Sequence, residues 1–296
     1  LYKPGEYIMA SGGKRLRPLL VILSSRAVSN KKIKPYNASV AVELLHNFTL
    51  VHDDIMDNAD IRRGRPTLHK LHSLDTAILV GDSLLSVAYE YLLKDCDGNA
   101  KEVLKAFTKG LVEVCEGQSM DKDFELKKTV KLEEYIVMIE KKTAAMAEMC
   151  CKIGAYLGGG TKAEVNALSK FGKNIGIAFQ IQDDLLDISA DEKKFGKVVG
   201  GDLMEGKKTF LFLKAFEKAK EDDKKLLTKV VEQKGIKQNQ VNKYKLLYEK
   251  LEVLDDSRKE IVNYTNKALA SLKVLNNEGD REIFTWLANS LIKRNK

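Results

Sequence analysis

Residues 50–66 read LVHDDIMDNADIRRGRP, and residues 181–187 read IQDDLLD. Each stretch sets a triplet of aspartates inside an otherwise apolar segment: Asp53, Asp54 and Asp57 in the first, Asp183, Asp184 and Asp187 in the second. On an α-helix the first and last member of each triplet project from one face, about one turn apart. The spacing therefore predicts two helices, each presenting a pair of carboxylates.

The surrounding chain carries the helical period almost everywhere. In DTAILVGDSLLSVAYEYLLK, residues 75–94, Ile78, Leu85, Ala88 and Leu92 share one face, and Asp75 stands where a cap is expected. Thr161 and Glu164 make a capping-box pattern that opens a long helix running through the second triplet. Helix breaks are expected at Gly12–Gly13, Asn58–Pro66, Asp95–Asn99, Gly158–Gly160 and Ala190–Gly201, while strand-like alternation is scarce. The pattern predicts an all-α bundle of about ten or more helices joined by short turns. No Pro/Gly/Ser-rich linker divides it, so residues 1–296 are expected to form a single domain.

Composition narrows the function. The 44% apolar residues and four prolines suit long uninterrupted helices. Cys96, Cys115, Cys150 and Cys151 form no CxxC pair and read as buried, reduced thiols of a cytoplasmic protein. No apolar run approaches the roughly 18 residues of a membrane span, so no transmembrane segment is expected. A net charge of +8 raises nucleic acid as a partner, but 42 acidic residues offset the basic ones and no aromatic-basic platform accompanies them. The lysines between Lys214 and Lys250 alternate with glutamates and leucines as on a solvated helix face, so no nucleic-acid partner is expected.

If the two aspartate helices face each other, like charges about 6 Å apart cost on the order of 2 to 3 kcal/mol per pair at an effective dielectric near 20. Such a cluster needs cations. Hard oxygen donors without nearby Cys or His of metal-ligand spacing favour Mg2+, which completes its shell with substrate phosphates. Cations for those phosphates follow each triplet: Arg62 and Arg63 after the first, Lys197, Lys207 and Lys208 after the second. A further cluster, SGGKRLRPLL, turns at Gly12 and Gly13 into a helix carrying Lys14, Arg15 and Arg17, a start suited to a second anion. Two anion sites imply two phosphorylated substrates.

A lone DDxxD more often decorates a solvated helix than binds a metal. Two copies among apolar residues, each followed by cations, do not fit that description. His46 and His52 alone would read as hydrogen-bonded structural histidines, and HKLH at 69–72 has no third ligand nearby and reads as structural. Gln118, Asp121 and Glu125 carry no assigned role.

Taken together, GGKRLRP, DDIMD with RRGRPT, GDSLL, KKTA, QIQDDLLD and GGDLMEGKKT resemble the trans-isoprenyl diphosphate synthases, over residues 12 to 210 and in the family's order. The resemblance implies an all-helical isoprenoid synthase fold around a deep central cavity, and a homodimer. The implied reaction is head-to-tail condensation of isopentenyl diphosphate with an allylic diphosphate (dimethylallyl, geranyl or farnesyl), assisted by two or three Mg2+ ions. By the same resemblance Asp53, Asp57 and Asp183 match metal ligands, Asp187 is the further member of the second motif, and Asp54 and Asp184 support them. Lys14, Arg17, His46 and Arg63 match positions that hold isopentenyl diphosphate. Arg62, Lys142, Thr143, Gln180, Lys197 and Lys207 match the allylic side, with Lys142, Thr143 and Gln180 facing the carbocation. The Ala190–Gly201 loop, carrying Lys197, is a lid candidate.

Product length is expected to be set just before Asp53, at Phe48 and Thr49. Phe48 beside Thr49 with no insertion in DDIMD resembles geranylgeranyl synthases and implies a C20 product rather than C15. An ideal helical wheel instead puts Thr49 about 40° and Phe48 about 140° from Asp53. Competing readings are a farnesyl or longer-chain synthase, a terpene cyclase, whose second metal motif usually carries Asn, Ser and Glu in place of DDLLD, and a non-catalytic regulatory or scaffold subunit.

Overall fold

The computed structural model describes residues 1–29, 33–189 and 199–292. Their regular structure is helical apart from one short hairpin, as the sequence period predicted. Two compact units divide the chain, one of residues Leu1–Lys109 with Met149–Ser169, the other of Gly110–Glu148 with Lys170–Lys296.

The first unit contains α1 (Tyr2–Met9), α2 (Leu16–Val28), α3 (Tyr36–Met56), α4 (Leu68–Leu71) and α5 (Leu74–Lys94). Helix α3 buries Ala38, Ala41, Val42, Leu45 and Phe48, recurring at three- and four-residue steps. One of its first amides is satisfied by Asp95: Ala38 N–H donates to Asp95 Oδ2 (2.8 Å), and the Asn37 side chain donates to Oδ1 of the same carboxylate (2.7 Å). A carboxylate at that end also complements the helix dipole. The helix ends at Met56, and Asn58, directly after the first aspartate triplet, turns the chain with a left-handed φ of 49°.

The expected break at Asn58–Pro66 is more than a loop. Strands β1 (Ile61–Arg62) and β2 (Arg65–Pro66) pair antiparallel, with Arg62 opposite Arg65. Arg63 and Gly64, both at positive φ (53° and 74°), make the two-residue turn. That twist matches the strands, which is why a glycine stands there.

Three expectations need correcting. Helix α5 is capped by Ser73, whose side chain accepts from Thr76 N–H, and Asp75 lies inside the first turn. Cys150 and Cys151 are buried, but Cys96 is half-buried and Cys115 is exposed. Helix α5 is also long and apolar enough to cross a membrane by length and composition, although the sequence reading found no such run. It is paired with α3, and Leu74, Ile78, Leu79 and Leu93 are exposed along it.

The second unit takes in the later part of α6 (Ala100–Leu126), α7 (Leu132–Ile139), a π turn (Glu140–Ala144), the first residues of α8 (Ala145–Leu157) and most of α9 (Lys162–Ser189). It continues through α10 (Gly201–Met204), α11 (Phe210–Lys218), α12 (Glu221–Glu232), α13 (Val241–Lys250), α14 (Val253–Ser271) and α15 (Glu278–Ile292). Phe171 of α9 meets Phe284 of α15 edge-on, centroids 4.9 Å apart, in its core. The predicted capping box is present at the start of α9: Glu164 N–H donates to Thr161 Oγ1 and Thr161 N–H to Glu164 Oε2.

Candidate active site

In the first unit the cationic positions gather round His46. Burial first, then the charges of Arg17, Arg63, Arg62 and Arg15, push its imidazole down to about 2. His46 is therefore neutral at any ordinary pH and offers hydrogen bonds rather than charge. Burial also pulls the Arg17 guanidinium down from its usual range, with Cys150 and Glu43 acting in the opposite sense. Arg63 donates to Gly12 O (2.5 Å), tying the hairpin turn to the Gly12–Gly13 bend that precedes the exposed Lys14. Glu43, 8% exposed on α3, pairs with Arg15, which sits at positive φ (49°). Glu43 carried no expected role, because nothing local marks one glutamate in a helix as the partner of an arginine 28 residues away.

The first aspartate pair lies at the end of α3. Arg62 Nε donates to Asp54 Oδ1 (2.6 Å), and its NH2 lies 3.6 Å from Asp53 Oδ2. Asp54 is buried at 3% exposure, Asp53 is half-buried and Asp57 is exposed. Asp54 thus anchors the hairpin through Arg62. Upstream, Phe48 is 8% exposed with its ring 4.5 Å from that of His52, and Thr49 donates to His46 O (2.8 Å). His52 departs from the hydrogen-bonded reading at Nε2, which is buried without a hydrogen-bond partner among the described residues and lies 3.8 Å from Asp82 Oδ1, while both ring nitrogens of His69 are buried and likewise unpartnered among them.

In the second unit, Asp121, Tyr135, Lys142, Thr143, Gln180, Asp184, Asp202 and Lys207 help line a cavity of about 120 Å³. Lys142 and Thr143 lie on the π turn, where Ala145 N–H bonds to Glu140 O in place of the ordinary four-residue bond. Two glycines make room for that wider turn. A Cβ at Gly117 would stand 2.2 Å from Lys142 N, and one at Gly176 would stand 2.6 Å from Ala144 Cα. Lys142 pairs with Asp121 (2.5 Å), a residue left without a role in the sequence. Thr143 donates to Gln180 Oε1 (2.9 Å), and Gln180 Nε2 donates to Asp184 Oδ1 (3.0 Å).

Burial and the nearby Asp202 push both Asp184 and Asp187 up to about 7. Asp187 accepts from Asp202 N–H (3.2 Å), and Asp183 is half-buried beside the buried Asp184. Lys207 pairs with Glu205 (2.7 Å), whereas Lys208 is buried and donates to Phe124 O, a structural contact. Lys197 and residues 190–198 of the proposed lid lie outside the described residues.

Carboxylates crowded at Asp184, Asp187 and Asp202 are the environment a divalent cation relieves. Among the described residues no three His, Cys, Asp or Glu side chains form a ready cage. Magnesium needs none, since it holds one or two carboxylates and fills its shell with water and phosphate oxygens. The all-oxygen donor set fits that ion.

A family profile described as polyprenyl synthetase matches residues 1–250. The chain is 40% identical to a geranylgeranyl diphosphate synthase of Sulfolobus acidocaldarius, covering 100% of this chain and 91% of that protein. It is 38% identical to a short chain isoprenyl diphosphate synthase of Methanothermobacter thermautotrophicus, covering 99% of this chain and 90% of that protein. Among solved structures, the geranylgeranyl pyrophosphate synthetase of Pyrococcus horikoshii matches with a TM-score of 0.91 at 38% identity, covering 99% of this chain and 90% of that one.

Proposed function

The chain belongs to the polyprenyl synthetase family, and from that premise we propose what each of its side chains does. The protein is an enzyme, a short-chain trans-prenyltransferase that joins isopentenyl diphosphate head-to-tail to an allylic diphosphate. Its product is geranylgeranyl diphosphate. The observation that carries this length is full-length similarity to synthases of that name, together with the buried Phe48 four residues ahead of His52.

Lys14, Arg17, Arg63 and the neutral His46 bind isopentenyl diphosphate, three by charge and one by hydrogen bonding. Arg62, Lys142, Lys197 and Lys207 grip the allylic diphosphate; arginine does so bidentately, lysine as a point charge. Asp53, Asp57, Asp183 and Asp187 hold two or three Mg2+ ions, which when bound neutralise charge on the departing diphosphate. As the allylic carbon–oxygen bond breaks, the oxygens of Thr143 and Gln180 and the carbonyl of Lys142 meet the positive carbon. That carbon alkylates the isopentenyl double bond, and a proton leaves to the departing diphosphate to restore an alkene. Apolar residues around both aspartate motifs keep out the water that would quench the cation.

We extend the proposal to three further points. The two units work as one domain, supported by a family match that runs through both. The exposed apolar stripe Leu74, Ile78, Leu79 and Leu93 pairs two copies as a homodimer. Cysteines that form no disulfide among the described residues suit the cytoplasm.

The test is incubation with labelled isopentenyl diphosphate, Mg2+ and each of the C5, C10 and C15 allylic diphosphates, followed by chromatography. A C20 product requiring both substrates is expected; a C15 or C25 end product overturns the length, and no elongation overturns the role assignments. Sedimentation at micromolar concentration checks the dimer, and a monomer there removes it.

A further inference from the structure

Asp184 belongs to the second aspartate motif, yet its side chain is directed into the protein. It is 5% exposed and accepts three hydrogen bonds from three elements: Gln180 Nε2 on Oδ1, Tyr135 Oη (2.5 Å) and the Phe210 amide (3.1 Å) on Oδ2. Tyr135, 3% exposed on α7, has its phenol committed to this carboxylate. Nothing local singles out Tyr135, since its partner lies 49 residues away.

We propose that Tyr135 is a positioning residue: through Asp184 it fixes the direction of the Gln180 amide, and so leaves acceptor oxygens rather than donors on the side of Gln180 and Thr143 that meets the developing cation. This rests on the prenyl-transfer reading above.

The direction follows from proton inventory. Asp184 Oδ2 takes the Tyr135 and Phe210 donors, and its Oδ1 accepts from Gln180 Nε2 (3.0 Å), so the Gln180 end facing Asp184 is its NH2 group. The opposite end is then the carbonyl oxygen Oε1, and it takes the one proton Thr143 has to give, at 2.9 Å. What remains at both groups is lone pairs, the negative ends of their dipoles. Aimed at a carbon that turns positive in the transition state, dipoles fixed in advance stabilise it without having to reorganise.

Tyr135 matters because it holds the far end of this chain in a buried place, where a hydrogen bond to a charged acceptor is strong and its loss is felt along the network. Without the phenol proton, Asp184 keeps one side-chain donor, Gln180 itself. The carboxylate is then free to turn, and the amide loses the partner that set its direction.

Tyr135→Phe removes one oxygen and keeps the ring that packs in the core. The expected result is a kcat lowered about tenfold, with KM for both diphosphates within about twofold and a melting temperature lowered by several degrees. Gln180→Leu should lower kcat as well, and the double variant should be no slower than Gln180→Leu alone, because Tyr135 acts only through that amide. Unchanged kcat in Tyr135→Phe, losses that multiply in the double variant, or a rise in KM with kcat intact each overturn the proposal. If Tyr135→Phe does not fold, the pair Thr143→Val and Gln180→Leu reads the chain from its other end, and multiplying losses there overturn it too. Absence of prenyl transfer by the unaltered enzyme in the same assay rejects the prenyl-transfer reading instead.

Discussion

Replacing Gly117 with alanine tests whether the π turn at Lys142–Thr143 is part of the catalytic apparatus. The new Cβ would lie 2.2 Å from Lys142 N, 2.6 Å from Lys142 Cα and 2.7 Å from Lys141 C, all of them backbone atoms that no rotamer change can move aside. Restoring ordinary contact at about 3.5 Å requires the turn to retreat by roughly 1 Å. Overpacking of this kind costs about 1–3 kcal/mol. In a chain of this size that lowers the melting temperature by roughly 3–10 °C. The larger effect falls on rate, since a shift of about 1 Å in a positioned group costs on the order of 100-fold. Thr143 and the Lys142 carbonyl both travel with the turn. The measurement is kcat for elongation of an allylic diphosphate, beside a thermal melt. Gly5→Ala serves as control, because a Cβ there meets nothing within 4 Å. If Gly117→Ala keeps normal kcat while losing stability, the π turn is a packing feature and its link to catalysis is refuted.

Phe48→Ala should lengthen the product, read by chromatography of the chains formed; an unchanged distribution rejects Phe48 as the floor. Asp53→Ala should lower kcat on the order of 100-fold or more by weakening metal binding, and near-normal turnover across a Mg2+ titration would sink that assignment. The pH dependence of stability offers another check. Asp187 is pushed up to about 7 from 3.8, by burial and by Asp202, so the stability it contributes is whole below about pH 4 and is lost as pH rises through 7. His46, lowered to about 2, has the opposite sign, its contribution being lost as pH falls below about 6.5. Comparison with Asp187→Asn cancels the histidine. The melting temperature of the metal-free protein relative to that variant should fall between about pH 4 and pH 7, and Mg2+ with diphosphate should abolish the fall. A flat or rising difference contradicts it.

The carboxylate pairs were legible in the sequence because the spacing that makes them visible is the period of the helix that carries them. That period is set by hydrogen bonds four residues apart, so the residues around Asp53 and Asp183 suffice to state it. The same local chemistry announced the capping box at Thr161 and the end of α3. Family motifs then named Lys142, Thr143 and Gln180 without showing how they are held. The hairpin at Ile61–Pro66 was missed as a hairpin, since two-residue strands leave no alternation to read. The cap of α5 was misplaced because Ser73 and Asp75 are both good capping residues, and only backbone geometry separates them.

What the sequence by itself determined is the helical class, the two acidic motifs and the kinds of charge beside them. The tertiary structure decided which of those charges are spent on protein. Arg62 lies on Asp53 and Asp54, Lys142 on Asp121, and Asp184 on Tyr135, Gln180 and the Phe210 amide. It also decided that Gly117 and Gly176 are needed where the π turn bulges. Such pairings join residues tens of positions apart, and close packing fixes which of many chemically equivalent side chains meet. Helical periodicity carries no information about that choice, so it exists only in the folded chain.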